Sequence, residues 1–146
     1  MELFPILNEL FEQVIVPPAV IHECLHDLSK AHSSAIQQAL KHKWINEKKV
    51  NNDEYCRLLS QILDPGEAEA ITFAKELNAT ALIDEKTGRK VANREGLICI
   101  GSLYVLIKAK QAGLIQSVAP LLNRLAEHGY YLDQQLINIV LDASNE

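Results

Sequence analysis

The sequence predicts an α/β fold of three layers, in which a short, mostly parallel sheet is flanked by helices. Two observations carry this prediction. Apolar or β-branched runs of strand length occur at residues 14–16, 79–84 and 97–100, and residues 44–50 alternate weakly between apolar and polar types. Segments with helical apolar periodicity fill the intervals between them. No repeat or linker interrupts the 146 residues, so we expect a single domain over residues 1–146.

The first half of the chain alternates predicted helices and strands. Apolar residues at positions 3, 6, 7, 10 and 11 predict a helix from Leu3 to Glu12. The strand at 14–16 ends at two prolines, and the next helix begins at Pro18 or Ala19 and runs through Leu28. The remaining elements are a helix capped by Ser33 or Ser34 and ending near Lys41, an edge strand at 44–50, and a helix capped by Asp53 and ending near Leu63.

The second half begins with a helix that has several start signals. Asp64 is a capping residue, Pro65 occupies the first helical position, and Glu67 stands three residues after the cap. This helix is predicted to reach Asn78 and to bury Ala70, Ile71, Ala74 and Leu77. Further predicted elements are a strand at 79–84, a helix from Lys86 to Glu95, a strand at 97–100, a helix from Gly101 to Ala112, and helices at about 117–128 and 133–143.

The composition excludes several classes of protein. Apolar residues make up 48% and charged residues 23% of the chain, which is typical of a globular core. A net charge of −5 disfavours binding of nucleic acid through overall charge, but it is compatible with a local basic patch. The widely spaced Cys24, Cys56 and Cys99 indicate a reducing compartment. With no signal peptide and no apolar run long enough to span a bilayer, we expect a cytoplasmic protein without a membrane partner.

Four carboxylates are candidates for a metal-dependent site. Asp84 follows a predicted strand, with Glu85 directly after it, and the carboxyl ends of parallel strands are where sites of α/β sheets lie. Glu67 lies one turn before Ile71 on the buried face of its helix, so we prefer it to Glu69. Glu23 flanks the apolar face of its own helix. Oxygen ligands of this kind suit Mg²⁺, although helix capping or simple exposure to solvent is an open alternative for each residue.

A basic stripe follows the last two carboxylates. Lys86, Arg89, Lys90 and Arg94 recur at helical spacing on the helix that leaves Asp84 and Glu85. Such a stripe can steer phosphate groups toward the carboxylates. The alternative is a solvated face with no ligand.

Several motifs in the same order resemble a family. These are Val14-Ile15-Val16-Pro17-Pro18-Ala19-Val20 with Glu23, Asp64-Pro65-Gly66-Glu67-Ala68-Glu69-Ala70-Ile71, Ala81-Leu82-Ile83-Asp84-Glu85-Lys86 with Arg89-Lys90-Val91-Ala92, Gly101-Ser102-Leu103, and Lys108-Ala109-Lys110 with Gly113-Leu114-Ile115. Together they resemble a subfamily of PIN-domain proteins, predicted nucleic-acid-binding proteins related to VapC-type toxins. The similarity covers nearly the whole chain.

The resemblance implies an Mg²⁺- or Mn²⁺-dependent endoribonuclease, often the toxin of a toxin–antitoxin pair whose partner is an antitoxin protein. Its metal ligands would map to Glu23, Glu67 and Asp84, with Glu85 as a neighbour or fourth ligand. The family pattern also has a first, central strand that carries an Asp, and no residue before Val14 supplies it. We therefore expect weak or absent cleavage. A start upstream of Met1, a decayed copy, or another segment or chain that fills the gap would each explain the departure.

Two other classes of function are open. His22-Glu23-Cys24-Leu25-His26 is an HExxH motif, and His32 falls where a third zinc ligand would lie, so a zinc-dependent hydrolase or protease is an alternative. Against it, Ser29 replaces a turn glycine and Met1 is the only methionine. The last two helices carry many apolar residues, which would suit a non-enzymatic binding module or a homodimer, or simple packing within the chain.

Overall fold

A computed structural model of the protein describes residues 4–26 and 30–146, with the side chains of residues 30–32 outside the description. Leu3, Leu28 and Ser29, and the side chain of His32, therefore lie outside the described residues. The chain divides into two compact units, Met1–Gly101 and Ser102–Glu146, so the single domain over residues 1–146 stays a prediction. The fold is α/β, as the sequence predicts.

The first unit contains six helices and four short strands within the described residues. The helices are α1 (Phe4–Leu10), α2 (Pro18–His26), α3 (Lys30–Lys41), α4 (Asp53–Leu59), α5 (Pro65–Leu77) and α6 (Lys86–Arg94). The strands are β1 (Ile15–Val16), β2 (Asn46–Glu47), β3 (Ala81–Leu82) and β4 (Cys99–Ile100). Each strand lies inside a predicted run but is shorter than that run, because only the paired residues belong to the ladder.

Two parallel pairs of strands make up the described sheet structure. β1 pairs with β2 in the register Ile15 to Asn46, and β3 pairs with β4 in the register Ala81 to Cys99. Among the described strands the two pairs are not hydrogen-bonded to each other. The parallel direction of each pair agrees with the prediction that strands and helices alternate along the chain.

Helix α5 organises the core of the first unit. Its Ile71 and Ala68 are fully buried, and Ala74 is nearly so. Around them pack apolar residues of α4, β3 and α6 and of the segments next to them, namely Leu59, Leu63, Ala81, Ile83, Val91 and Ala92. A second cluster consists of Ile21, Ile36, Ala39 and Ile45. The prediction that Leu77 belongs to the buried face of α5 is wrong, since its side chain is 50% exposed.

The ends of the helices test the predicted capping residues. Asp64 caps α5 by accepting a hydrogen bond from the amide of Glu67 at 2.9 Å, as predicted. Asn78 closes the same helix in the left-handed region, with φ of 50°. Two other caps are wrong: α3 begins at Lys30, upstream of Ser33 and Ser34, and Asn52 rather than Asp53 caps α4. Helix α4 also ends at Leu59, before the predicted Leu63.

The second unit consists of α7 (Ser102–Gln111), α8 (Ala119–Glu127) and α9 (Gln134–Ala143). The carboxylate of Glu146 accepts hydrogen bonds from the amides of Val118 at 2.8 Å and Ala119 at 3.1 Å, so it satisfies the start of α8. The apolar residues considered for a dimer surface are largely inside the protein: Val118, Leu121, Leu122 and Val140 are buried, and Leu125, Leu136, Ile137 and Leu141 are half-buried. This burial favours packing within the chain.

Two further sequence expectations concern the cysteines and membranes. Cys24, Cys56 and Cys99 are free thiols, and all three are half-buried. Burial raises the pKa of the Cys24 and Cys99 thiols. In the part of the chain that the structure describes, no helix has both the length and the apolar character needed to cross a bilayer.

Candidate metal centre

The amino end of α5 gathers carboxylates from distant parts of the sequence. Glu23 of α2 accepts a hydrogen bond from the amide of Gly66 at 3.1 Å. Asp64 binds the next amide, that of Glu67. Both amides belong to the first turn of the helix, where the N–H groups have no partner within the helix and attract anions. The amino end of α5 therefore binds the carboxylates of Glu23 and Asp64, and it also carries a third carboxylate, that of Glu67.

Gly66 allows the close approach of Glu23. A Cβ atom added at Gly66 would lie 2.8 Å from Oε2 and 3.0 Å from Oε1 of Glu23, both closer than ordinary contacts. The residue that precedes the predicted ligand Glu67 thus has to lack a side chain for the Glu23 carboxylate to reach the helix backbone.

Glu67 has the environment expected of a cation ligand. Its Oε1 is buried and has no hydrogen-bond partner among the described residues. Burial raises the pKa of Glu67, and the negative charges of Asp64, Glu85 and Glu23 raise it further. A buried carboxylate oxygen with negative neighbours is unfavourable unless a proton or a metal ion neutralises it.

Gly88 brings α6 against Glu67. A Cβ atom at this position would lie 2.9 Å from Cγ2 of Ile83 and 3.2 Å from Oε1 of Glu67. Because Gly88 is buried and has no side chain, the first turn of α6 can cover the Glu67 carboxylate. The same turn begins at Glu85, whose charge acts on Glu67.

Asp84 occupies a position next to Gly101. Its Oδ1 lies 3.1 Å, and Nη1 of Arg89 lies 3.7 Å, from the place where a Cβ of Gly101 would be. The charges of Asp84 and Arg89 also act in opposite directions on the pKa of the Cys99 thiol, which burial raises. Asp84 therefore shares its surroundings with the basic stripe.

The donor set can be compared with the needs of a divalent cation. Within the described residues, no group of three or more His, Cys, Asp or Glu side chains is arranged so that it could enclose a metal ion. Mg²⁺, however, is commonly held by one or two carboxylates and keeps several of its waters. Glu67, with its unpartnered oxygen, and Glu23 fit this requirement, and Glu85 adds negative charge beside them.

The basic stripe lies where the sequence predicts it. Lys86, Arg89, Lys90 and Arg94 are all exposed on α6. Helix α6 leaves directly from Asp84 and Glu85, so the stripe starts at the carboxylates. Four exposed cations on one helix can hold phosphate groups close to the acidic residues.

The HExxH motif is arranged differently from a zinc protease site. The rings of His22 and His26 are exposed, with centroids 5.0 Å apart. The Glu23 carboxylate that would act as general base is instead hydrogen-bonded to Gly66. The third candidate, His32, has its side chain outside the described residues. This arrangement gives no support to the zinc-dependent alternative.

Sequence reasoning missed three participants in this region. Glu69, set aside as a ligand, accepts a hydrogen bond from the amide of Ala19 at 2.8 Å and so satisfies the start of α2. Gly66 and Gly88 carry no predicted role in the sequence, although each permits a carboxylate to approach. A weak signal existed, since Gly66 and Gly88 both lie within three residues of a predicted ligand.

Replacing Gly66 with alanine is expected to displace the Glu23 carboxylate while the protein stays folded. The three atoms nearest to the added Cβ all belong to the end of the flexible Glu23 side chain, and alanine favours the helix by up to about 1 kcal/mol over glycine. We expect Mn²⁺ affinity, measured by calorimetry, to fall by roughly tenfold. A double-mutant cycle with Glu23→Ala is the control, because the alanine should have no further effect once Glu23 is gone. Additive losses would show that Gly66 acts independently of Glu23.

Comparison with known proteins identifies the family of the chain. A family model described as a PIN domain matches residues 1–146, the whole of the sequence. No curated protein and no solved structure matches the chain significantly. The chain therefore belongs to the PIN-domain family.

Proposed function

We propose that this protein is a divalent-metal-dependent endoribonuclease whose catalytic carboxylates are Glu23, Glu67, Asp84 and Glu85. Membership in the PIN-domain family indicates a nuclease-type function. The observation that carries the finer proposal is the Glu67 carboxylate, which has a buried oxygen without a partner and three negative neighbours. Such a group favours a cation, and Mg²⁺ or Mn²⁺ is the class of ion that accepts an all-oxygen donor set.

Glu67 and Glu23 would hold the ion at the amino end of α5. When bound, a divalent cation supplies positive charge that polarises a phosphate and activates water. The helix backbone orients Glu23 through the amide of Gly66. Glu67 lies close to the backbone of Gly88, and one of its carboxylate oxygens is buried.

The residues of α6 would bind the RNA strand. Lys86, Arg89, Lys90 and Arg94 are exposed and follow the acidic residues in sequence and on the surface of one helix. Binding through phosphates is independent of base sequence, so the stripe accounts for affinity and position, not for the choice of target. The net charge of −5 makes this local patch, and not the overall field, the source of attraction.

The resemblance of the sequence to VapC-type toxins supports a role as the toxin of a toxin–antitoxin pair. The natural partners would then be RNA and an antitoxin protein. Three free thiols are compatible with the reducing cytoplasm in which such a pair would act.

Cleavage of single-stranded RNA by the purified chain is the direct test. We expect slow cleavage with Mg²⁺ or Mn²⁺ and none with EDTA. Asp84→Asn should lower the rate by roughly a hundredfold, because it removes a charge from the reacting region. Glu54→Gln, at an exposed acidic residue of α4, is the matched control and should leave the rate unchanged. Cleavage that persists equally in EDTA or in Asp84→Asn would refute the proposed mechanism.

A further inference from the structure

A second cluster of cations, separate in sequence from the stripe on α6, flanks β2. Lysines occupy positions 41, 43, 48 and 49, and all four are exposed. Four lysines and one glutamate give residues 41–49 a formal charge of +3, in a chain whose net charge is −5. Among the described residues, none of the four lysines forms an ion pair with a carboxylate. These cations are therefore available to an anion from outside the chain.

An aromatic stack stands among these lysines in the sequence. The rings of His42 and Trp44 are stacked, with centroids 4.7 Å apart and planes inclined by 23°. Trp44 is half-buried and packs against the apolar cluster that contains Ile21 and Ile45, whereas His42 is exposed. The indole is thus anchored in the fold and holds the imidazole at the surface. Flat rings held in this way beside cations suit the stacking of a nucleic acid base.

Lys43 has a backbone conformation that disfavours residues with a side chain. Its φ is 58°, in the left-handed region. The amide of the next residue, Trp44, donates back to the carbonyl of Ala39 at 2.9 Å, as in helix ends that usually have glycine at the position of Lys43. Lysine there costs stability that glycine would not. A charged side chain at such a position indicates a role other than folding.

The parallel pairing of β1 and β2 brings one end of the cluster toward the candidate metal centre. The amide of Lys48 donates to the carbonyl of Val16 at 3.3 Å, and the two strands run in the same direction. Helix α2, which carries Glu23, begins two residues after Val16. Lys48 and Lys49 thus follow β2 at the edge of the sheet where α2 begins. A nucleic acid strand that lies along β2 leads toward the helix of Glu23.

We propose that a surface around β2 binds single-stranded RNA outside the metal centre. This surface, the β2 patch, consists of Lys41, His42, Lys43, Trp44, Lys48 and Lys49. Its lysines bind phosphates, and one base stacks on the two rings. Single-stranded nucleic acid fits better than an anionic membrane or an acidic protein, because it offers a phosphate and a flat ring in every repeating unit. The choice of RNA rests on the proposed function, whereas the binding itself requires neither the carboxylates nor a metal ion.

The fluorescence of Trp44, the only tryptophan of the chain, reports directly on this patch. The probe is an oligoadenylate of about ten nucleotides, added to the full chain in EDTA so that metal-dependent cleavage plays no part. We expect saturable quenching, with an affinity that falls as salt is raised. An abasic oligomer of the same length and charge should quench little and bind roughly tenfold more weakly, since it lacks the stacking rings. Binding through the stripe on α6 alone would leave the fluorescence of Trp44 unchanged and would overturn the proposal.

Two glycine variants separate binding from folding. Lys43→Gly removes a cation and the unfavourable φ together, so it should melt at a higher temperature and yet bind the oligoadenylate roughly three- to tenfold more weakly. Asn78→Gly, at a φ of 50° at the end of α5, is the matched control, because it places glycine in a similar conformation without a change of charge and should bind like the wild type. His42→Ala should weaken binding of the oligoadenylate but not of the abasic oligomer.

Three results would contradict this assignment. Wild-type affinity in Lys43→Gly would show that the lysine does not contact the strand. Equal quenching by the abasic oligomer would show that no base stacks on the rings of His42 and Trp44. Phosphatidylserine vesicles that bind more tightly than the oligoadenylate, with the same dependence on Lys43, would assign the patch to a membrane surface instead.

Discussion

Replacing Ile71 with alanine is expected to lower the free energy of unfolding by about 3 kcal/mol. Ile71 is fully buried at the centre of the main core cluster, so its removal leaves a cavity among neighbours from several elements. A domain of this size has a total stability of only about 5–15 kcal/mol. Urea denaturation followed by circular dichroism should therefore show a much lower midpoint with an unchanged slope.

The matched control is Ile62→Ala, which makes the same chemical change at a side chain that is 59% exposed. We expect a loss within about 0.5 kcal/mol, as for other surface substitutions. Equal losses at the two positions would contradict the placement of Ile71 in the core. A change in the slope of the Ile71→Ala curve would instead indicate that the unfolding transition is no longer two-state.

Ile71 belongs to the part of the fold that local sequence rules predict well. The start of α5 at Asp64 and Pro65 depends on contacts between residues three apart, and its buried face follows from helical periodicity. Both signals lie within one short segment, so no knowledge of distant residues is needed. The parallel direction of the strands likewise follows from their alternation with helices.

Other features depend on residues far apart in sequence and were not predictable. The bond of Glu69 to Ala19 spans 50 positions, and that of Glu23 to Gly66 spans 43. No periodicity carries information about such pairs. Leu77 has the helical spacing of the buried face of α5. It is nevertheless half-exposed, because it lines an apolar groove of the first unit and does not lie under the core. Ser33 and Ser34 are good capping residues that lie inside α3, since its first turn starts at Lys30.

The candidate site also combines features that the sequence predicts with features that only the coordinates show. The types and order of Glu23, Glu67, Asp84 and Glu85 indicated metal chemistry, because hard cations require several oxygen donors. The sequence also favoured Glu67 over Glu69, and the structure gives Glu69 a backbone partner while leaving Oε1 of Glu67 without one. The roles of Gly66 and Gly88 required coordinates, because what matters is which side chain each glycine admits.

Glu67→Gln is expected to stabilise the protein and to reduce its activity. At neutral pH the variant removes a negative charge from a half-buried side chain that has one buried oxygen and lies beside three other carboxylates. Its free energy of unfolding should rise by on the order of 1 kcal/mol, because the neutral amide is not repelled by these neighbours and loses less hydration on burial. Metal-dependent RNA cleavage should fall by roughly a hundredfold. Thermal unfolding and the cleavage assay measure the two opposite effects.

The pH dependence follows from the raised pKa of Glu67. Folding binds a proton more tightly at this group, so the wild-type protein loses stability as pH rises above the ordinary glutamate value of 4.5 and through the higher pKa of the folded state. Below 4.5 both states are protonated, and the stability gap to Glu67→Gln should close. Cleavage should rise over the same pH interval, because only the ionised carboxylate holds the cation.

A metal titration tests whether Glu67 binds a cation or has only a structural role. Mn²⁺ should raise the melting temperature of the wild type at neutral pH, since a ligand that binds only the folded state stabilises it, and should leave Glu67→Gln nearly unchanged. Glu54→Gln, exposed on α4, should behave like the wild type in both assays. If Glu67→Gln were less stable than the wild type at neutral pH, or still stabilised by Mn²⁺, the buried oxygen of Glu67 would not be the cation ligand. A site that is costly to the folded protein until an ion occupies it is expected where function, and not stability, has selected the residue.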